Sequence, residues 1–210
     1  MKQFFIKANK YLDRDTTAFY HTPYTGFQNP GNPDYLNHLK NTYNSFSVQK
    51  LRSAVQALRS VLQEDLPQIL QKLNVDLITV CVVPRAKAEK TYYANQKLFK
   101  TTVQEVIQQI DGFIDGTDYI LRHTDTRTTH LPREMPNYNN NGPDPYPGIT
   151  EDTCTISEEV RGKNILLVDD IYTPGVNVDE DAINALLKAG ARTVTFYAVG
   201  YTMKRDQGWW

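Results

Sequence analysis

Cysteine is nearly absent: Cys81 and Cys154 are the only two in 210 residues. Cys81 sits inside an apolar run, so a buried reduced thiol is expected in place of a disulfide, and with it a cytoplasmic location. Two isolated cysteines and four scattered histidines offer no zinc-ligand spacing. No apolar run approaches the roughly 20 residues of a membrane span. The opening Met1-Lys-Gln-Phe-Phe-Ile-Lys7 has neither the long apolar stretch nor the small-residue cleavage site of a secretion signal. A net charge of −1 gives no broad field for attracting nucleic acid, so any such contact would be local. What remains, 40% hydrophobic and 22% charged residues, is a globular composition, and the length suits one domain with a substantial core.

One stretch carries a definite chemistry, Asn164-Ile-Leu-Leu-Val-Asp-Asp-Ile-Tyr-Thr-Pro-Gly-Val-Asn177. Ile165 to Val168 is a short unbroken apolar run, which reads as a buried parallel strand. Asp169 and Asp170 follow at its carboxyl end, then a Thr-Pro-Gly turn. Residues 179–189 then carry Ala182, Ile183, Leu186 and Leu187 at helical spacing. In open α/β sheets ligands bind outside the carboxyl ends of strands, and a helix amino terminus fed by a glycine turn offers N–H groups to a phosphate. Paired carboxylates in front of such a site suit sugar hydroxyls or hydrated Mg²⁺. A receiver domain also pairs acids at a strand end, but after its first strand; here only residues 171–210 remain, so the order excludes it.

The rest of the chain reads as alternating helices and strands. Residues 1–44 hold the aromatic, proline- and glycine-dense Tyr20 to Pro33, expected to be an irregular subdomain. Ser47 is placed to cap a helix through Leu51, Val55, Leu58, Val61 and Leu62, with a restart at Asp65 and Pro67 running to about Leu73. Residues 75–83 read as a central strand, followed by the basic Pro84-Arg-Ala-Lys-Ala-Glu-Lys90. The spacing of Leu98, Val103, Val106, Ile107 and Ile110 predicts a crossover helix. Residues 119–121 read as a short strand, 122–148 as a long loop bearing Arg122, His123, Arg127 and His130, and 149–160 as a short β element. Gly190 ends the last helix, 193–199 is another buried strand, and Trp209-Trp210 closes the chain as a docking or self-association element. The expected fold is a three-layer α/β domain over residues 45–210 with a mainly parallel sheet.

The stretch 165–177 resembles the phosphoribosyl diphosphate (PRPP) motif of the type I phosphoribosyltransferases: four apolar residues, two acids, two mostly apolar residues, then a Thr- and Gly-bearing loop. The resemblance implies that Asp169 and Asp170 hold the ribose hydroxyls, contacting Mg²⁺ at most indirectly, and that Thr173, Pro174, Gly175, Val176 and Asn177 wrap the 5-phosphate. By position it assigns Arg85, Ala86 and Lys87 to the pyrophosphate loop. It also makes the 122–148 loop a cover whose Arg122, His123, Arg127 and His130 supply positive charge. Residues 83–96 loosely resemble the competence-associated ComF-like branch, with Tyr92-Tyr93-Ala94-Asn95-Gln96 as its aromatic-Asn-Gln element.

Three positions depart from the motif: Tyr172 is bulky, Pro174 lacks a hydroxyl and an N–H, and Asn177 replaces a Thr or Ser. Fewer donors then face the phosphate, each worth on the order of 1.5 to 3 kcal/mol when charge-assisted. The implied activity is magnesium-dependent transfer of phosphoribosyl from PRPP to an acceptor with release of pyrophosphate. Two other classes stand beside it: a PRPP- or nucleotide-binding regulatory module without turnover, and an accessory interaction subunit of a bacterial operon that uses its aromatic surfaces. A homodimer or an operon-encoded protein is the expected macromolecular partner.

Overall fold

The computed structural model describes residues 1–128, 138, 140, 142, 148–149 and 152–203. Its strands are β1 (Lys2–Ile6), β2 (Thr16–Tyr24), β3 (Ile78–Val82), β4 (Phe113–Asp115), β5 (Ile120–Arg122), β6 (Cys154–Ile156), β7 (Asn164–Tyr172) and β8 (Thr193–Thr202). The helices of six residues or more are α1 (Tyr35–Lys40), α2 (Val48–Leu73), α3 (Leu98–Ile107) and α4 (Val178–Lys188). Six strands form one sheet in the order β1-β2-β8-β7-β3-β4, parallel throughout except for the antiparallel edge β1; β5 and β6 make a separate antiparallel pair.

The unbroken apolar run of β7 has a simple cause: both its faces are covered. Ile165 and Leu167 pack with Ala182, Ile183 and Leu186 of α4, whereas Leu166 and Val168 pack with Leu58, Leu62 and Leu66 of α2 and Val103 and Val106 of α3. Strand alternation sends neighbouring side chains to opposite faces, so every position of a central strand must be apolar. The layers are α1–α3, the sheet, and α4 with the β5–β6 pair.

Two expectations are corrected. Residues 1–44 are not an irregular subdomain: β1 and β2 extend the main sheet, β2 pairing in parallel with β8 from Ala18↔Phe196 to Tyr24↔Thr202. Irregular backbone is confined mainly to the 7–15 connection, the 25–34 turn, where Asn32 Oδ1 accepts the Thr25 and Gly26 amides at 2.9 and 3.0 Å, and the 41–47 link into α2. Composition concealed the strand because Pro23 and the glycine-, asparagine- and proline-rich 25–34 turn that follows it read together as one irregular loop. Second, α2 does not restart at Pro67 but passes through it. Pro67 lies on the exposed side while Leu62, Asp65, Leu66 and Ile69 are buried, so water satisfies the freed carbonyl and the apolar stripe carries the helix on. Ser47 does cap α2, its Oγ accepting the Lys50 amide at 3.3 Å.

From β3 the chain crosses through α3 to β4 on one side, whereas from β7 it crosses through α4 to β8 on the other. The switch in direction falls between β3 and β7, and there the two carboxyl ends leave a crevice. Among the described residues, no helix is long and apolar enough to cross a membrane.

Candidate functional site at the strand switch point

A cavity of about 410 Å³ opens at this crevice. The β7 side of its wall comes from the acid pair. Asp169 and Asp170 lie within the last turns of β7 rather than beyond it, and alternation sends them to opposite faces of the sheet. Asp169 meets Asp179 in the first turn of α4, and Asp170 meets Lys40, the last residue of α1, with Nζ 3.2 Å from Oδ1. The Asp170 amide donates to Asp169 Oδ1 at 2.8 Å. Burial, together with the Asp170 charge, pushes Asp169 up to about 7. Burial and then Asp169 push Asp179 well above the usual carboxylate range. A hydrogen bond between two carboxyls requires a proton on one of them, so the pair shares a proton near neutral pH. Asp179 Oδ1 is buried and has no partner among the described residues. Burial disfavours the Lys40 ammonium, but attraction to Asp170 and Asp169 outweighs it and raises that group above the ordinary lysine value.

The loop after the pair turns at Gly175, which has φ +84°, and enters α4 at Asn177, whose φ of +64° is also left-handed. Asn177 holds this conformation by donating to Gly175 O at 3.0 Å and accepting from Asn9 Nδ2 at 3.3 Å. Thr173 and Val176 line the cavity, but Pro174, Gly175 and Asn177 do not, and the first two are exposed. Tyr172 also has a structural cause. Its ring packs against Phe4 of β1 (5.3 Å between centroids), Phe196 and Tyr201, and its hydroxyl donates to Glu180 at 2.9 Å. The bulky residue therefore fills space created by the extra edge of the sheet.

On the β3 side, Arg85 and Ala86 line the cavity and Lys87 does not. The Arg85 guanidinium donates to Gln96 O and stacks 4.2 Å from the Tyr92 ring. Ala86 O accepts from both the amide and hydroxyl of Thr126, at 2.8 and 2.9 Å. Lys87 is buried, its amide donating to the Tyr92 hydroxyl at 3.0 Å, and burial lowers its pKa against the pull of Asp125. Of the cationic cover residues, Arg127 lines the cavity, while exposed His123 bonds Thr124 and does not line it. His130, most of the 129–147 stretch and Trp209-Trp210 lie outside the described residues.

Arg122 differs most from its expected place. It ends β5 rather than riding on a loop, is 3% exposed, and donates from Nε to Arg85 O at 2.7 Å. It lines the cavity, yet its Nη1 has no partner among the described residues. Burial lowers its pKa. A buried guanidinium with an unused donor is costly unless an anion completes it. Lys40 and Asp179 were not singled out from sequence. Lys40 sits in the stretch with least periodicity, and Asp179 reads as an ordinary first-turn acid.

The donor set gives magnesium no protein cage. Asp169 Oδ1 and Asp170 Oδ1 already have protein partners, and among the described residues no three His, Cys, Asp or Glu side chains are grouped to hold a metal. The residues fit a magnesium ion only through water or through a ligand that brings its own oxygens. Neither a scan against protein-family models nor a search of curated proteins finds a match for this chain.

Proposed function

We propose that the protein binds PRPP and transfers its phosphoribosyl group to an acceptor, releasing pyrophosphate. The carrying observation is that one cavity at the switch point is lined both by a carboxylate pair suited to a vicinal diol and by a buried guanidinium with an unpartnered donor. Six basic side chains, Lys40, Arg85, Lys97, Lys100, Arg122 and Arg127, outnumber the four acids on the wall, which suits an anionic ligand.

In this reading Asp169 and Asp170 accept the ribose hydroxyls, Thr173 and the Val176 turn approach the 5-phosphate, and Arg122 neutralises the diphosphate. The C1–O bond to the diphosphate breaks with its electron pair leaving on oxygen, and the acceptor's lone pair forms the new bond to C1. Side-chain work is positioning and charge neutralisation. Magnesium, carried in by the diphosphate oxygens and water, would add charge neutralisation to the leaving group. The test is calorimetric titration of Mg²⁺-PRPP into the protein alongside Asp170→Asn and Arg122→Met, with pyrophosphate release followed separately. Binding by the wild type that both variants lose is expected; equal heats from all three would refute the assignment.

A second reading, binding without turnover, has its own support. The loop crest at Pro174 and Gly175 stands outside the cavity, and α4 begins with three buried acids, Asp179, Glu180 and Asp181. Acids there oppose a phosphate at the helix terminus. Binding with no pyrophosphate release across candidate acceptors would favour it.

A further inference from the structure

Lys40 has no role in the chemistry above, yet it is held with care. Leu36 and Leu39 anchor α1 in the core. Asn41, fully buried and left-handed at φ +39°, ends the helix. Its Oδ1 accepts the Ser45 and Phe46 amides at 3.1 and 3.3 Å, and its carbonyl accepts from Gln96 Nε2 at 3.0 Å. From that fixed point the ammonium reaches Asp170, the two side chains retaining 26% and 17% of their exposure. Both line the cavity.

A hydroxyl that donates to Asp170 Oδ1 competes with Lys40 for that oxygen. A neutral sugar that wins this contest leaves the ammonium unpaired in a place partly withdrawn from water. A sugar with an attached phosphate repairs the loss, because the freed ammonium can turn to the phosphate.

We propose that Lys40 is the resident counter-ion of the diol-binding acids and that it selects a sugar carrying its own anion. The proposal rests on the reading that Asp169 and Asp170 take a ribose diol. Diol and anion exchange partners with Asp170 and Lys40 in one event, so a phosphorylated pentose binds even without a divalent ion, while ribose alone is disfavoured.

The test measures affinities of the wild type, Lys40→Met and Lys40→Arg for ribose, ribose 5-phosphate and PRPP by calorimetry and ligand-observed NMR, in EDTA and in Mg²⁺. Melting curves verify that each variant folds. Lys40→Met should weaken both phosphorylated sugars by about tenfold or more in EDTA, equivalent to about 1.4 kcal/mol, with magnesium restoring part of the PRPP loss. Ribose should bind the methionine variant as well as or better than the wild type, and Lys40→Arg should keep the wild-type order. Equal losses for neutral and phosphorylated sugars, or no loss for either, would overturn the counter-ion role. A wild type that binds neither phosphorylated sugar even with magnesium would instead overturn the ribose-site reading on which it rests.

Discussion

The two walls of the cavity are finished differently. On the β7 side the Lys40 ammonium meets Asp170, and Asp169 shares a proton with Asp179, so both carboxylates already have partners. On the β3 side Arg85 is used up on Gln96 and Tyr92, but Arg122 keeps a buried donor unspent. A ligand that takes Asp170 Oδ1 displaces Lys40 at the first wall, and one that reaches Arg122 completes its donor set at the second. Affinity is therefore expected to come mainly from Arg122, and discrimination mainly from the acids.

The strongest way to break this contrast is Arg122→Met. Losing a buried charge-assisted contact costs on the order of 1.5 to 3 kcal/mol, so PRPP affinity should fall by roughly 10- to 150-fold in a titration. The melting temperature should change little, because removing an incompletely satisfied buried charge offsets the lost Nε donation to Arg85 O. A drop in melting temperature without loss of affinity would show that Arg122 serves the fold alone.

Asp170→Asn tests the other wall. It should weaken PRPP binding by about tenfold or more and also lower the melting temperature by a few degrees, since Lys40 loses its partner. The two substitutions thus separate in stability while agreeing in binding.

A smaller effect is expected from pH. The folded-state pKa values of Asp169 and Asp179 are raised, so the folded protein holds more protons than the unfolded chain above the ordinary value of 3.8. The contribution of the pair to stability is fully present below that value and declines as pH rises towards about 7. In Asp179→Asn the amide can donate to Asp169 without a titrating proton. Its melting temperature should therefore fall less than the wild type's between about pH 4 and pH 7, the difference between the two curves isolating this pair. Identical slopes would remove the shared proton from the account.

Gly175→Ala is the mildest probe. An added Cβ meets no atom within 4 Å, but φ +84° strains any residue with a side chain, so a cost of about 1 kcal/mol in denaturant unfolding is expected. With the crest outside the cavity, PRPP affinity should stay within about threefold of the wild type, a change of well under 1 kcal/mol. A larger loss would mean that the loop closes on the ligand.

Much of the frame was legible because it depends on short-range pattern. The run Ile165 to Val168 has to be a strand covered on both faces, and the helix that follows it begins and ends within a residue or so of its expected limits. Arg85 and the acid pair could be placed on one cavity because strand ends converge where the chain reverses its direction of crossing. Residues 1–44 were misread since β2 joins the sheet on β8 and Phe4 of β1 packs on Tyr172 and Tyr201, contacts made across more than 150 residues of sequence. Lys40 and Asp179 escaped altogether, and Arg122 was named only as a loop cation rather than as the buried end of β5. Each is ordinary in its local context: Lys40 and Arg122 take their character from burial and a partner distant in the chain, and Asp179 from burial against Asp169 across the β7–α4 loop.

Asn41 has a wider reach than its place at a helix end suggests. Its backbone carbonyl and that of Thr42 receive Gln96, whose own backbone carbonyl receives Arg85, so the segment bearing Lys40 and the segment bearing Arg85 are braced as one truss. A lengthened 42–46 turn would be transmitted to Arg85 although some 40 residues separate them. In any lineage of such proteins, the turn after α1 and the 95–96 corner are therefore constrained to change together.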